Sequence, residues 1–451
     1  MKNKLFLRNF FWIIFILFAF NSCKQEAIFY IISKENKPVK PRIQGSPSNM
    51  VVFEREYNGV TVPILYVASG RLHRYAKAEA GSGSPKWDLK EYKIASLSWK
   101  IVSLAVSGDY LYALCFPEDG VNSRLYRIGK EYKDNETWER IYLEESRKNL
   151  HIQSIYSDPE SHWLFAGSSE NYNHSILYLN SNESQPTLKI LKDGTELLSG
   201  AVFRSAEDLF YLSTQSGMFQ ISGADLANDI TGNLTQLEDK SPDPVDTTKA
   251  LTKKEKNRFF MGMIKLEDPA STIIAVDRDG GYLYQVNNGE FARMRYTKIE
   301  NGSLEPIDTW IQTGRYSTGA LALWIDPDPA SNPRRKMLLA GIQGSLYNTT
   351  SQSYSHGYVE FELINATNAD LNAADGSFDT VSQRHDSSNM FSVKDYDSYS
   401  TSLGKHPINH IFQVPEEINS DLILFASTQT GGLWSYKDRP KSGGIQWNAE
   451  D

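Results

Sequence analysis

Carboxylates at alternate positions are the residues of this chain whose types and spacing best suit chemistry. Asp326-x-Asp328 and Asp277-x-Asp279-Gly280 carry the hard oxygen ligands that a cation such as calcium selects. Neither sits in the complete loop of an EF-hand. Asp, Pro and Asn are also the ordinary residues of tight turns. The same holds for SDPESH, RSAED, LEDPAS, DPDPAS and PEEINSD, so turn-setting is the first reading of them all and no metal is assigned. His406 and His410 have helical spacing, but Pro407 between them argues against a helical ligand pair. There is no His-Glu-x-x-His, no Gly-x-Ser-x-Gly elbow and no Walker loop. No catalytic residue and no cofactor is assigned.

The chain spends only two cysteines in 451 residues. Cys115 lies in YLYALCF, a strand-like apolar run, and reads as a small core residue. Cys23 lies elsewhere: Lys2, Lys4 and Arg8 precede the unbroken apolar run Phe10–Phe20, and Asn21, Ser22 and Cys23 follow it. That is the layout of a secretory signal. The run is well short of the roughly 20 residues a spanning helix needs. There is no CxxC, and a Cys23 consumed by lipid would leave Cys115 without a disulfide partner, so stability must come from a packed core.

The tetrad Phe20-Asn21-Ser22-Cys23 resembles the lipobox of bacterial lipoproteins, with Phe in place of the usual Leu and Asn where Ala or Ser is commoner. The resemblance implies cleavage before Cys23 and acylation of it. The alternative is a signal peptide cut elsewhere, with Cys23 incidental. Each buried methylene contributes about 0.8 kcal/mol, so two or more chains anchor stably. Lys24, rather than Asp, favours the outer membrane by resemblance to lipoprotein sorting.

The elements that carry these residues are β-rich. Short apolar runs alternate with Gly, Asn, Asp and Pro, and helical periodicity is nearly absent. The net charge is −8 before residues 1–22 are removed, and their removal makes it more negative. Nucleic acid is therefore disfavoured as a partner.

An internal repeat organises the runs. ILYVASGRLHRY leads to Trp87, YLYALCFPEDGVNSRLYRIG to Trp138 and LILFASTQTGGLWSY to Trp447. The same unit recurs without its tryptophan at WLFAGSSENYNHSILYLN, LFYLSTQSGMFQIS, IIAVDRDGGYLYQV and LLAGIQGSLYNT. An apolar run precedes most copies, giving four strands per unit. Four antiparallel strands repeated at intervals of tens of residues is the plan of a propeller blade. The fold class expected is all-β, a β-propeller of seven blades with four antiparallel strands each; six or eight remain open because the first copy begins weakly at MVVFEREYNGVTV.

GDYLYALC, DGGYLYQV and QGSLYNT, with Trp87, Trp138 and Trp447, resemble quinoprotein-like (PQQ-repeat-type) propeller repeats. With the anchor, the chain resembles outer-membrane assembly propeller lipoproteins, which have eight blades. Quinone-dependent propeller enzymes commonly use adjacent cysteines, absent here. The sialidase box Ser-x-Asp-x-Gly-x-x-Trp has only a partial counterpart at Ala275–Gly280, without the Ser and Trp.

The domains expected are a signal peptide at 1–22, a lipidated leash at 23–47 and one propeller at 48–451. Two long insertions, 240–257 and 365–406, fall at crossings between units, on the face that also carries the turns between second and third strands. Long structureless insertions tend to be functional or disordered. The expectation is a lipid-anchored envelope propeller that binds a protein partner on that face, as a scaffold or assembly accessory. The runner-up is a surface adhesin or ligand-binding lipoprotein using residues 365–406. A carbohydrate-active or redox enzyme comes third.

Overall fold

The computed structural model describes residues 43, 45–77, 83–88, 94, 99–117, 122–131, 137–144, 150–170, 173–195, 197–241, 258–266, 271–278, 281–300, 303–310, 317–325, 336–342, 358–362, 407–436 and 447–450. All lie in one compact unit, Pro41–Asp451. Cys23 and the signal and leash segments before residue 43 lie outside them, as do residues 242–257 and 365–406.

The fold is a β-propeller. Each blade begins with an inner strand and builds outward, and blade 5 also takes Glu238–Asp239, from the chain before it, onto its outer edge. Blade 1 runs Met50–Tyr57, Val60–Ser69, Arg71–Ala76 and Lys86–Trp87; its sheet order is its chain order. Its first hairpin turns on Asn58-Gly59, both at positive φ (51° and 81°), the pairing that a tight two-residue hairpin demands. That turn makes MVVFEREYNGVTV a full first hairpin. The inner strands of the following units are Trp99–Ser107, His151–Ser157, Leu198–Arg204, Phe260–Lys265, Ser317–Ile325 and Ile408–Gln413. The described inner strands thus mark seven successive units, blades 2 and 3 sharing one eight-stranded sheet through the parallel pairing of Thr187 and Leu188 with Tyr142 and Leu143, consistent with the seven repeat copies.

Alternation along each strand explains the ring. In Tyr110–Pro117, Leu111, Ala113 and Cys115 join the core shared with blade 1, while Tyr112 and Leu114 join the core shared with blade 3. Seven apolar clusters result, each drawn from two neighbouring units. The last pairs Phe425 and Leu433 with Met50, Leu65 and Val67, which closes the ring. Leu433 and Trp434, adjacent in sequence, enter different clusters, as the pleat requires.

Closure uses a clasp. Ile43 is buried in the final cluster. The Leu433 and Gly432 amides donate to the Ile43 and Gly45 carbonyls at 3.0 and 3.2 Å. Asn409 Nδ2 donates to Ser46 Oγ at 3.0 Å and to the Pro47 carbonyl at 2.8 Å. The boundary expected at residue 47 therefore falls inside the clasp.

Two elements differ from the sequence reading. The third strand of blade 6 is Tyr358–Glu362, which pairs along Lys336–Ile342 and buries Phe361; GSLYNT lies outside the described residues. An extra hairpin, Arg295–Glu300 with Ser303–Trp310, stands between blades 5 and 6.

Candidate functional site: the central channel

The inner strands enclose a channel of about 980 Å3, and all seven contribute to its wall. One mouth is a collar built by a repeated backbone irregularity. Ile101 faces Cys115 and Ser103 faces Leu114, so Val102 is an extra residue. The same one-residue bulge sets off Ser199, Met261 and Asn409. Gln153 occupies it in blade 3 and Thr318 lies within the corresponding irregularity in blade 6. In blade 1 Ser48 N donates to the Ala68 carbonyl while Ala68 N donates to that of Asn49, which is again two residues against one. Bulges bend a strand and re-aim its side chains. Here they turn Ser48, Gln153, Ser199, Met261, Thr318 and Asn409 toward the channel.

In five of the blades the residue after the bulge meets the next blade. Asn49 pairs with the Leu104 backbone. Ser154 Oγ donates to the Leu198 carbonyl at 3.1 Å. At Gly200 and Gly262 there is no room for more: a Cβ on Gly200 would lie 3.3 Å from Met263 N, and one on Gly262 would collide with the Gly319 carbonyl. His410 accepts from Met50 N through Nδ1 at 3.3 Å. Burial lowers the His410 pKa to about 4, so the ring is neutral at ordinary pH.

The opposite mouth is charged. Lys130 bridges Glu56 and Asp109 at 3.4 and 3.2 Å, which raises its pKa. Beside this mouth Lys265 bridges Asp158 and Glu160 at 3.0 and 2.9 Å. Among the described lining residues, Glu54, Glu56, Asp109 and Lys130 carry the charges, all at this end. Between the mouths the ionisable side chains among them are His410 and Tyr156, and burial pushes the Tyr156 pKa up to about 12. The described interior is therefore uncharged, and its walls mix hydroxyl and amide groups with Val, Met and Phe.

Among the described acid-rich turns the carboxylates accept backbone amides, within the turn at Asp158 and across the base of the hairpin at Asp208. Asp158 Oδ1 accepts from Glu160 N, and Asp208 Oδ2 from Ala224 N. Asp277 is buried and accepts from Tyr282 N and the Tyr284 hydroxyl, each at 3.0 Å. Asp279, Asp326, Asp328 and His406 lie outside the described residues, and His410 stands on a strand. No three His, Cys, Asp or Glu side chains converge as a metal group would among the described residues. Cys115 is fully buried, and desolvation pushes its thiol up to about 12. The stems of the 240–257 insertion meet where Arg258 Nε lies 3.5 Å from Asp239 Oδ2. The 365–406 insertion ends beside the clasp, where Gln429 N donates to the Pro407 carbonyl. Among the described residues no helix is long and apolar enough to cross a membrane.

The sequence reading missed the collar. Its trace is an apolar residue, a variable one, a Ser, Gly, Asn or His, then an apolar one, as in Ile101–Leu104, Ile152–Ile155 and Ile408–Ile411.

No family model matches the chain, and no curated protein matches it. Its fold is similar to that of Raptor from Chaetomium thermophilum, with 10% identity and TM-score 0.42, covering 89% of this chain and 30% of that one. It is similar to the Dos1 propeller, with 10% identity and TM-score 0.36, covering 68% and 65% respectively. It is also similar to BBS1N, solved in complex with ARL6DN, with 12% identity and TM-score 0.42, covering 90% and 96%. The chain thus spans less than two thirds of the first two. These likenesses concern the fold.

Proposed function

We propose that the chain is a lipid-anchored platform of the bacterial cell envelope, tethered through acylated Cys23 and binding a protein partner on the collar face. One observation carries the partner-face reading. The stems of both insertions, at Asp239/Arg258 and Pro407, lie at strand ends on the collar side of the ring, and the clasp leaves it there too. The described stems and the clasp thus share the side of the uncharged mouth, which supports one partner-facing side. Function on a propeller resides in loops over a rigid ring. The basic start, the short apolar run and the lipobox-like tetrad support the anchor, and Lys24 supports an outer-membrane location.

The test is protease shaving of intact and permeabilised cells, following an epitope placed within residues 365–406. Cleavage only after permeabilisation is the expected result, and site-specific crosslinking from the same face should then capture an envelope partner. Cleavage on intact cells would replace this reading with that of a surface adhesin. Metabolic labelling with an alkyne fatty acid tests the anchor: incorporation should vanish in Cys23→Ser and persist in Cys115→Ala.

A further inference from the structure

The channel itself has the chemistry of a peptide site. We infer that it takes up an extended, uncharged polypeptide segment of the partner, entering through the collar. This inference rests on the platform reading and names what such a partner presents.

Charge sets the first limit. Among the described residues no ionised side chain lines the channel between its mouths, so a charged ligand would lose hydration there without a counter-charge. Hydrogen bonding sets the second. Gln153 Nε2 donates to Ser169 Oγ, and Asn409 Nδ2 donates to the clasp. The amide oxygens of both side chains keep no protein partner among the described residues. They are acceptors, set by the bulges at the channel mouth, and backbone N–H groups are the donors that an extended chain supplies. The wall consists of inner strands with a ladder partner on one side, and backbone groups of the other edge at Leu104, Leu198 and Ile325 are already taken by side chains of neighbouring blades. The segment is therefore held by side-chain amides at the collar and not as an added strand.

The ring already uses this pairing internally. The Asn49 amide engages both backbone groups of Leu104, and the Gln413 amide both backbone groups of Ile325, at 2.8 Å each way for the second pair. A side-chain amide read against an extended backbone is thus within this protein's own repertoire. Met261 and Met263 add adaptable apolar contacts for small or aliphatic side chains. The inner strands are about 20–30 Å long at the usual rise. A volume of about 980 Å3 along that length holds one extended chain.

The experiment uses the full chain without residues 1–22. A displayed library of linear nonapeptides restricted to uncharged residues is panned beside a matched library with one Asp or Lys per peptide. Two collar plugs, Ser199→Trp and Thr318→Trp, serve as controls, each accepted only if its near-UV circular dichroism and Tm match those of the parent. The expected result is saturable binding of uncharged peptides, weakened at least tenfold by either accepted plug, with hydrogen-exchange protection on the inner strands. Absence of enrichment overturns the inference, as does equal binding of charged peptides or protection confined to the outer strands. Saturable, plug-sensitive binding of maltohexaose without peptide binding also overturns it, in favour of a glycan. If both plugs perturb the fold, Gln153→Leu, accepted by the same criteria, replaces them and must weaken the selected peptides at least tenfold. A partner crosslinked through the insertion face and recovered equally with the altered collar would sink the channel inference and leave the platform reading intact.

Discussion

The side-chain amide of Asn49 pairs with the backbone of Leu104 in both directions. Asn49 Nδ2 donates to the Leu104 carbonyl at 2.7 Å, and Leu104 N donates to Asn49 Oδ1 at 2.9 Å. A side chain thereby stands in for a strand across the seam between blades 1 and 2. Asn49→Ala leaves a backbone donor and acceptor without this partner, a loss of about 1–3 kcal/mol. Asn49→Asp keeps the acceptor but sets a carboxylate against a carbonyl and should be no better. Thermal unfolding of both variants checks this; an unchanged Tm for Asn49→Ala would show that the pairing does not support the ring.

His410 gives the ring an acid limit. Its folded pKa is about 4 against an ordinary value of 6.5. Between those values the unfolded chain binds a proton that the folded one does not, so stability falls as pH drops through that window. The full shift corresponds to about 3 kcal/mol. The slope of Tm against pH between 6.5 and 4 should flatten in His410→Gln relative to the parent, whatever the offset in absolute stability.

Cys115 should be silent to thiol reagents in the folded protein. It is 0% exposed, and its thiol is held protonated by burial. Native protein with an acylated Cys23 should give no maleimide adduct, and chain made without residues 1–22 should give one. Unfolding should add one site to each. A native adduct that survives Cys23→Ser would contradict the burial.

Backbone contact at the seam of blades 5 and 6 predicts a sharp glycine requirement. Gly262→Ala drives a methyl group into the Gly319 carbonyl, and overpacking of that kind costs about 1–3 kcal/mol or more. Gly232→Ala, with nothing within 4 Å of the new carbon, should be near neutral. Urea midpoints measured side by side decide it.

The repeat is legible because a blade must satisfy two neighbours at once. That requirement writes period-two alternation into every middle strand, as Leu111 to Cys115 and Leu433–Trp434 show. Blade 6 misleads because the sequence motif GSLYNT resembles GGLWSY, while the strand that pairs is Tyr358–Glu362. The hairpin between blades 5 and 6 belongs to no repeat copy, so a search for repeats passes over it. The collar escapes for a subtler reason. One extra residue shifts the alternation phase, and Val102 and Gln153 then look like noise in a strand rather than members of a ring. Pro407 argues against a helical pair of His406 and His410, and His410 does stand on a strand. The clasp is hidden because Ile43 acquires its meaning from Leu433, at the far end of the chain.

Every described blade strand is supplied by its own stretch of chain, so no described strand is exchanged to lock the first blade to the last. The clasp is consequently the mechanical fuse of the ring. A pull applied through the chain preceding residue 43 loads the bonds from Leu433 to Ile43 and from Gly432 to Gly45 first. Behind them the seam of blades 7 and 1 keeps the bonds from Met50 to His410 and from Asn419 to Tyr75 and the cluster around Phe425.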